Sequence, residues 1–235
     1  MALGERSASY NRIAMSRLLP TTVLVRFVLG ILAAIGLSVF CPGAKQFVMP
    51  VAQSAKSYPA RDEHSDEAVT LALDPYDMAD KANIFSVRYN QLGMLPILLV
   101  VTNDGDQPVL LAGMKAELVT VDRAKLSPVT PDDIERRLSH PSASANRYPL
   151  PFPTKRAKGG VSQEAREEIE NAQFGAKAVE PHSTQAGFLF FDVQGVATPL
   201  AGAHFYLTGV KNAQGHELMY FEVPLEKYLS APVKH

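Results

Sequence analysis

The chain lacks most of the features that announce a specific chemistry. It has a single cysteine, Cys41, so no disulfide can form within the chain and the residues after it offer no thiol ligand. It contains no G-x-S-x-G motif, no HExxH motif and no glycine-rich phosphate loop. A formal net charge of -1 leaves no broad basic field, so we predict no nucleic-acid partner.

What the chain does have is one long apolar run at residues 23–41. Four arginines and a single acid lie before or within the start of this run, which predicts that the N-terminus stays in the cytoplasm and that everything after Cys41 is exported. The length is close to the roughly 20 residues that cross a hydrocarbon core. Since no second apolar helix exists to cover the run, a buried core helix is disfavoured. We predict a basic segment at residues 1–22 and a transmembrane anchor or signal peptide at 23–41 that contacts the lipid bilayer.

Length does not choose between an anchor and a signal, because the uninterrupted part at 27–41 also fits a signal h-region of roughly 7–15 residues. Signal peptidase requires small residues at the first and third positions before its cut, and Cys41-Pro42-Gly43 matches this poorly. Acylation of Cys41 would require a small residue before it, and Phe40 occupies that position. An uncleaved anchor is therefore favoured over a cleaved signal and a lipoprotein. Met15 is an alternative start of the chain.

Residues 42–66 mix proline, alanine, serine and charged residues without a period. This composition predicts a flexible linker. His64 lies among four acidic residues at the end of this segment and just after it, namely Asp62, Glu63, Asp66 and Glu67. We interpret it as a solvated linker residue rather than a ligand.

Residues 67–230 carry the patterns of one mainly β domain, an antiparallel β-sandwich with a helical and loop insertion at about 122–184. Period-two or apolar segments predict strands at 69–73, 84–89, 95–102, 109–111, 116–121, 188–193, 203–210 and 216–223. Residues 95–102 are apolar almost throughout, which is typical of a central strand. The NDGD turn at 103–106 predicts a hairpin into 109–111. The side-chain oxygens of this turn could bind calcium. A calcium site needs six to eight oxygen ligands, however, so a plain turn is favoured.

Two helices are predicted inside the insertion. Thr130 as a cap, Pro131 at the first position and an acid three residues after the cap specify a helix through Leu138. A second helix is predicted from Ser162 to about Gln173. Between them, prolines at 149, 151 and 153 favour an extended conformation, either as an ordinary loop or as a docking peptide for a partner.

The last two strands provide the candidate active site. A hairpin that is symmetric about Ala213 pairs the following residues: Phe205 with Phe221 and Leu207 with Met219 in the core, and His204 with Glu222 and Tyr206 with Tyr220 on the other face. A histidine and a carboxylate can bind zinc or act as a general base. A third ligand would have to come from His216 or Asp192. We therefore favour an ordinary polar pair on an exposed face over a metal site or an active site. We therefore predict no catalytic, cofactor-binding or metal-binding residue, and no cofactor.

Residues 95–111, LPILLVVTNDGDQPVLL, and 215–229, GHELMYFEVPLEKYL, resemble uncharacterised exported bacterial proteins whose outer domain is an immunoglobulin-like β-sandwich. The resemblance implies that fold and brings no catalytic residues with it. The expected function is a membrane-tethered, non-catalytic interaction or assembly module of the cell envelope, in the periplasm or at the cell surface, with an envelope protein as partner. The alternatives are a metal-dependent enzyme that uses His204 and Glu222, and an accessory subunit of a larger membrane complex.

Overall fold

The computed structural model describes residues 46–140 and 160–231. The apolar run at 23–41, the alternative start at Met15, Cys41 and the prolines at 149, 151 and 153 all lie outside these residues, so the expectations for them stay predictions. Within the described ranges, no helix is both long enough and apolar enough to cross a membrane.

The described chain is mainly β, with antiparallel strands and a few short helices. The strands are β1 (Ala60–His64), β2 (Val69–Pro75), β3 (Met94–Asn103), β4 (Val109–Leu110), β5 (Lys115–Val119), β6 (Lys125–Leu126), β7 (Ala178–Val179), β8 (Ser183–Asp192), β9 (His204–Thr208) and β10 (Phe221–Pro224). The helices are α1 (Ala79–Ala82), α2 (Pro131–Ser139), α3 (Gln163–Ala172) and α4 (Glu226–Leu229), with 3₁₀ turns at Ala55–Ser57 and Tyr89–Leu92.

These strands form two sheets that pack on each other. The first sheet has the order β1-β2-β3-β8, the second has the order β10-β9-β5-β6, and β4 pairs with β7 in a small third sheet. Alternate residues of β3, such as Ile97 and Leu99, are buried in one core with Phe205, Leu207 and Phe221 of the second sheet. Burial of this apolar surface is the main source of stability, at roughly 25 cal/mol per Å².

The first sheet is covered on its other face as well, and this explains why all ten residues of β3 are buried. Leu98 and Val100 belong to a second core, which also contains Phe188 and Phe190 of β8. Side chains from the helices and from the 3₁₀ turn at 89–92 complete that core, namely Tyr89, Ile134, Ile169 and Ala172. The prediction of a central strand at 95–102 is confirmed.

Both predicted helices of the insertion are present and form part of this covering layer. The Thr130 hydroxyl accepts the Asp133 N–H at 3.3 Å and the Asp133 carboxylate accepts the Thr130 N–H at 3.4 Å, which is a complete capping box. Ser162 caps α3. The range 122–184 is nevertheless more than an insertion, since it contains β6, β7 and the start of β8. Strands of two residues are too short to show a period in the sequence.

The strand predicted at 84–89 is wrong, although its alternation of burial is real. Phe85, Val87 and Tyr89 are buried, but the chain runs through bends into a 3₁₀ turn. The backbone N–H groups of Ser86 and Val87 do not pair with a strand, because they donate to the carboxylate of Glu168 on α3 at 2.6 and 3.1 Å.

The hairpin predicted at the NDGD turn is also wrong. β3 already has β2 on one side and β8 on the other, so no edge is free for the segment that follows the turn. That segment, β4, pairs with β7 instead. The Asn103 side chain links the two sheets by donating to the backbone O of Val179 at 3.1 Å.

The predicted flexible linker at 42–66 includes part of the sandwich. β1 pairs with β2, with Ala60 opposite Leu73, and the Ala55 N–H donates to the Thr102 hydroxyl at 2.8 Å. The sequence of β1 is ARDEH, and such a polar edge strand lacks the apolar alternation that would have revealed it.

The final hairpin has the predicted parity but a register shifted by two residues. Phe221 lies opposite Leu207, and Val223 rather than Phe221 lies opposite Phe205. The bridge between Lys211 and Glu217 is symmetric about residue 214 instead of 213. Since a shift of two residues keeps every side chain on its face, Phe205, Leu207 and Phe221 are buried as predicted. Met219 was predicted to be in the core and is 71% exposed.

Candidate functional site

The predicted contact between His204 and Glu222 is present on the outer face of the second sheet. His204 Nδ1 lies 2.8 Å from Glu222 Oε1, and both side chains are partly exposed. In the observed register the residue directly opposite Glu222 is Tyr206, and its hydroxyl donates to the same carboxylate oxygen at 2.9 Å. This hydrogen bond is the main reason why the pKa of Tyr206 is raised, with partial burial adding to it.

Three rings continue along this face in what we call the aromatic row: His204, Tyr206 and Tyr220. The first two rings are stacked with centroids 6.3 Å apart, and Tyr206 and Tyr220 are 6.2 Å apart. Tyr220 is 52% exposed and its neighbour Met219 is even more exposed. The row therefore presents apolar ring surface to solvent beside one anchored carboxylate.

Neither residue that was considered as a third ligand joins this site. His216 is exposed in the hairpin turn, where its N–H donates to the Asn212 side chain. Asp192 forms a salt bridge with Arg137 of α2. Across the described ranges, no group of three or more His, Cys, Asp or Glu side chains is arranged to hold a metal ion.

His64 is not the solvated residue that its sequence context suggested. Its ring stacks on Phe221 with centroids 4.0 Å apart, and its two nitrogens lie 2.9 Å from a Glu67 oxygen and 3.3 Å from an Asp62 oxygen. The same oxygen of Asp62 accepts the backbone N–H of Glu222 at 2.9 Å. His64 therefore helps to hold β1 against β10, the strand that also carries Glu222.

The oxygens of the NDGD turn are engaged in the fold. Asn103 is buried, its side-chain oxygen accepts the Gly105 N–H at 3.0 Å, and its amide nitrogen donates to three backbone carbonyls. Asp104 pairs with Lys56, and Asp106 lies 3.0 Å from His182. The turn is a structural junction between the first sheet and the β4-β7 pair.

A cleft between α3 and residues 86–92 is the second candidate site, and the sequence did not reveal it. We call it the α3 cleft. It consists of two adjoining cavities of about 230 and 490 Å³ that share Ser86 and Glu164. Glu168 lies at its base, 2% exposed, and its carboxylate also accepts the Ser86 hydroxyl. One signal was present in the sequence, since Glu168 follows Ala165 and precedes Ala172 on the apolar stripe of α3.

The lining of the α3 cleft is acidic at one end and apolar at the other. The smaller cavity is bordered by Glu164, Glu167 and Glu168. The pKa of Glu164 is lowered, mainly by its own backbone N–H and next by the Ser162 hydroxyl, so this carboxylate is ionised at neutral pH. The larger cavity is bordered by apolar side chains that include Leu138. Such a lining suits a ligand that has both basic and apolar groups.

Comparison with known proteins adds no identification. No family model matches the chain, and no curated protein matches it significantly. Function is therefore inferred from the geometry of the described residues and from the sequence.

Proposed function

We propose that the chain is an exported, membrane-tethered β-sandwich that acts as an interaction or assembly module of the cell envelope, and that it recognises its partner through the aromatic row. The observation that carries the proposal is the row itself: the exposed ring of Tyr220 and the half-buried ring of Tyr206 lie beside the Glu222 carboxylate on the face of a rigid sheet. Tyrosine and methionine are enriched at protein interfaces, and tyrosine is enriched among the residues that dominate binding energy.

The fixed geometry of the row favours recognition over random surface exposure. Tyr206 and His204 are both held by the Glu222 carboxylate, so little side-chain entropy remains to be lost when a partner binds. The sheet below the row is braced by Phe221 and by the contact of Asp62 with the β10 backbone. A partner with an apolar surface and a hydrogen-bond donor for Glu222 would complement the row.

The strand order supports the immunoglobulin-like part of the proposal. In that fold one sheet contains strands A, B and E, and the other contains G, F, C and, in some members, C′. The order β2-β3-β8 matches A-B-E, and the order β10-β9-β5-β6 matches G-F-C-C′. β1 is then an additional edge strand, and the helical layer over the first sheet is a departure from a two-layer sandwich.

The proposed location at a membrane is supported by the sequence, namely by the apolar run at 23–41 and its basic N-terminal flank. An anchored chain keeps its N-terminus after export, whereas a cleaved one loses residues up to about the end of the run. Mass spectrometry of the mature N-terminus tests this part. A mature chain that begins near Ala44 or Ala55 would overturn the anchor without affecting the aromatic row.

The recognition surface is tested by affinity capture from solubilised envelopes with the full-length chain in detergent. Tyr220→Ser removes one ring of the row, and Val51→Ser is the matched control, because Val51 is 93% exposed and lies outside the row. We expect the wild type and the control to retain the same stable envelope partner and Tyr220→Ser to lose most of it. Equal capture by both variants, or no stable partner for the wild type, would contradict the proposal.

Two alternatives have their own tests. His204 and Glu222, which lie 2.8 Å apart, could provide two of the three protein ligands that a catalytic zinc site needs. Stoichiometric zinc or calcium in the purified protein would favour the metal-dependent enzyme. An accessory subunit of a larger membrane complex would show a defined mass well above that of the single chain in native mass measurement of the solubilised protein.

A further inference from the structure

The α3 cleft lies where a stretch of the chain leaves and re-enters the described fold. Leu138, near the end of α2, and Ser162, the cap of α3, both line the larger cavity. The nineteen residues 141–159 connect these two points. Both ends of this segment are thus fixed beside the cleft, which gives the segment a high effective concentration there, of the millimolar order for short tethers.

The charges of the cleft and of the segment are complementary. The cleft is bordered by Glu164, Glu167 and Glu168, against the single cation Arg88. The segment contains four basic residues and no acidic one; they are Arg147, Lys155, Arg156 and Lys158. Since the carboxylate of Glu168 is occupied by backbone and hydroxyl donors, the exposed carboxylates of Glu164 and Glu167 are the ones that would attract these cations.

The apolar parts are complementary as well. Leu92, Leu138 and Ala165 border the larger cavity. Residues 148–153 read YPLPFP, in which a large apolar residue alternates with proline. Proline restricts the backbone before binding and so reduces the entropy lost on docking. Basic residues flank this apolar stretch, just as the acidic cavity adjoins the apolar one.

From these observations we propose that the α3 cleft is the docking site of the chain's own segment 141–159, with the apolar residues of YPLPFP in the larger cavity and the flanking basic residues at Glu164 and Glu167. This contact is intrachain and does not depend on the aromatic row. It assigns the cleft to an internal peptide, which leaves the outer face of the second sheet as the surface for a partner.

The test is limited trypsin digestion of the full-length, detergent-solubilised chain, with mass spectrometry of cleavage after Arg147, Lys155 and Arg156. A synthetic peptide of residues 141–160 gives the rate without protection. Removal of two exposed ion pairs opens a docked segment by a modest factor, and proteolysis then follows the open population. We expect Glu164→Gln/Glu167→Gln to raise the cleavage rate roughly tenfold at low salt, and high salt to raise the wild-type rate towards that of the variant.

The matched control is Glu170→Gln/Glu180→Gln, which removes the same charge from two exposed residues outside the cleft and should leave the rate within about twofold of wild type. Equal melting temperatures of the two double variants would show that folding is intact. Three outcomes would overturn the proposal: a wild-type rate equal to that of the free peptide, equal rates in both double variants, or protection that increases with protein concentration, which would assign the cleft to the segment of a second copy.

Discussion

Replacement of Glu168 by alanine is the most direct test of how the α3 cleft is built. Glu168 is a carboxylate that is 2% exposed, and it accepts two backbone N–H groups and one hydroxyl from residues 86–87. Those residues form no strand, so the carboxylate replaces the acceptors that a neighbouring strand would have provided. Without it, we expect the 84–92 segment to lose its attachment to α3.

The magnitude follows from the three hydrogen bonds. The N–H of Val87 is buried and would have no acceptor, which costs about 1–3 kcal/mol. Ser86 is exposed, so water can replace its two bonds and the loss there is smaller, about 1 kcal/mol. The alanine variant no longer buries a carboxylate, and the desolvation cost that it avoids offsets part of this loss of stability. We expect a net loss of about 2 kcal/mol in the free energy of unfolding, or about 4–8 °C in Tm for a domain of this size.

The assay is thermal and urea unfolding of the full-length chain, followed by circular dichroism, together with hydrogen exchange of the amides at 86 and 87. Glu168→Gln keeps one acceptor oxygen and should lose about half as much stability as Glu168→Ala. Glu170→Ala is the matched control, because Glu170 is an exposed glutamate on the same helix, and it should stay within about 0.5 kcal/mol of wild type.

A Glu168→Ala variant whose free energy of unfolding lies within about 0.5 kcal/mol of the control would show that Glu168 does not hold the 84–92 segment. A variant that lost stability while the amide of Val87 kept its protection from exchange would lead to the same conclusion, since the loss would then arise from packing and not from the hydrogen bonds. Faster exchange confined to residues 84–92, with the β3 amides unchanged, is the expected pattern for a segment held by a single side chain.

Three further predictions concern the core and the ionisable groups. Gly187→Ala should cost about 3 kcal/mol in urea unfolding, because a Cβ would meet the backbone N of Phe174 at 2.7 Å, whereas Gly175→Ala, with open space around it, should be nearly neutral. Burial raises the pKa of Tyr76 to about 12, so stability that is complete below pH 10 should fall by about 1.4 kcal/mol at pH 11, and Tyr76→Phe should lack this part of the fall in urea midpoints. Burial alone would raise the pKa of Asp192, but hydrogen bonds from its arginine partner and from a backbone N–H lower it. Asp192→Asn should therefore cost about 0.5–1 kcal/mol at pH 7. The difference in Tm between this variant and the wild type should shrink as the pH falls below about 4.

The elements that the sequence predicted well are those with strong local signals. The capping box at Thr130 and Asp133 and the apolar run around Ile97 specify a helix and a central strand from a few adjacent residues. The sequence also predicted which residues of the last hairpin face the core, because buried and exposed residues alternate along a strand. This is why the contact of His204 with Glu222 could be predicted even though the turn was placed one residue too early.

The elements that escaped prediction depend on contacts between distant parts of the chain. The irregular backbone at Ser86 and Val87 is determined by Glu168, about eighty residues away, and no local pattern records that partner. The stacking of His64 on Phe221 has the same origin, since β1 gains its position from β2 and β10 and not from its own polar sequence. The α3 cleft was missed because it forms between two such segments.

The edges of the two main sheets offer few free backbone groups to which another chain could add a strand. The β8 edge is covered, because the Phe190 carbonyl accepts the Val129 N–H and the Phe188 carbonyl accepts the Phe174 N–H. The second sheet has β10 at one edge and β6 at the other. On β10, the N–H of Glu222 donates to the Asp62 carboxylate at 2.9 Å, and β6 has only two residues. Strand addition requires a long row of free backbone groups, and these edges offer little of it. If the chain recognises a partner as proposed, the described residues favour recognition by side chains on a sheet face over strand addition.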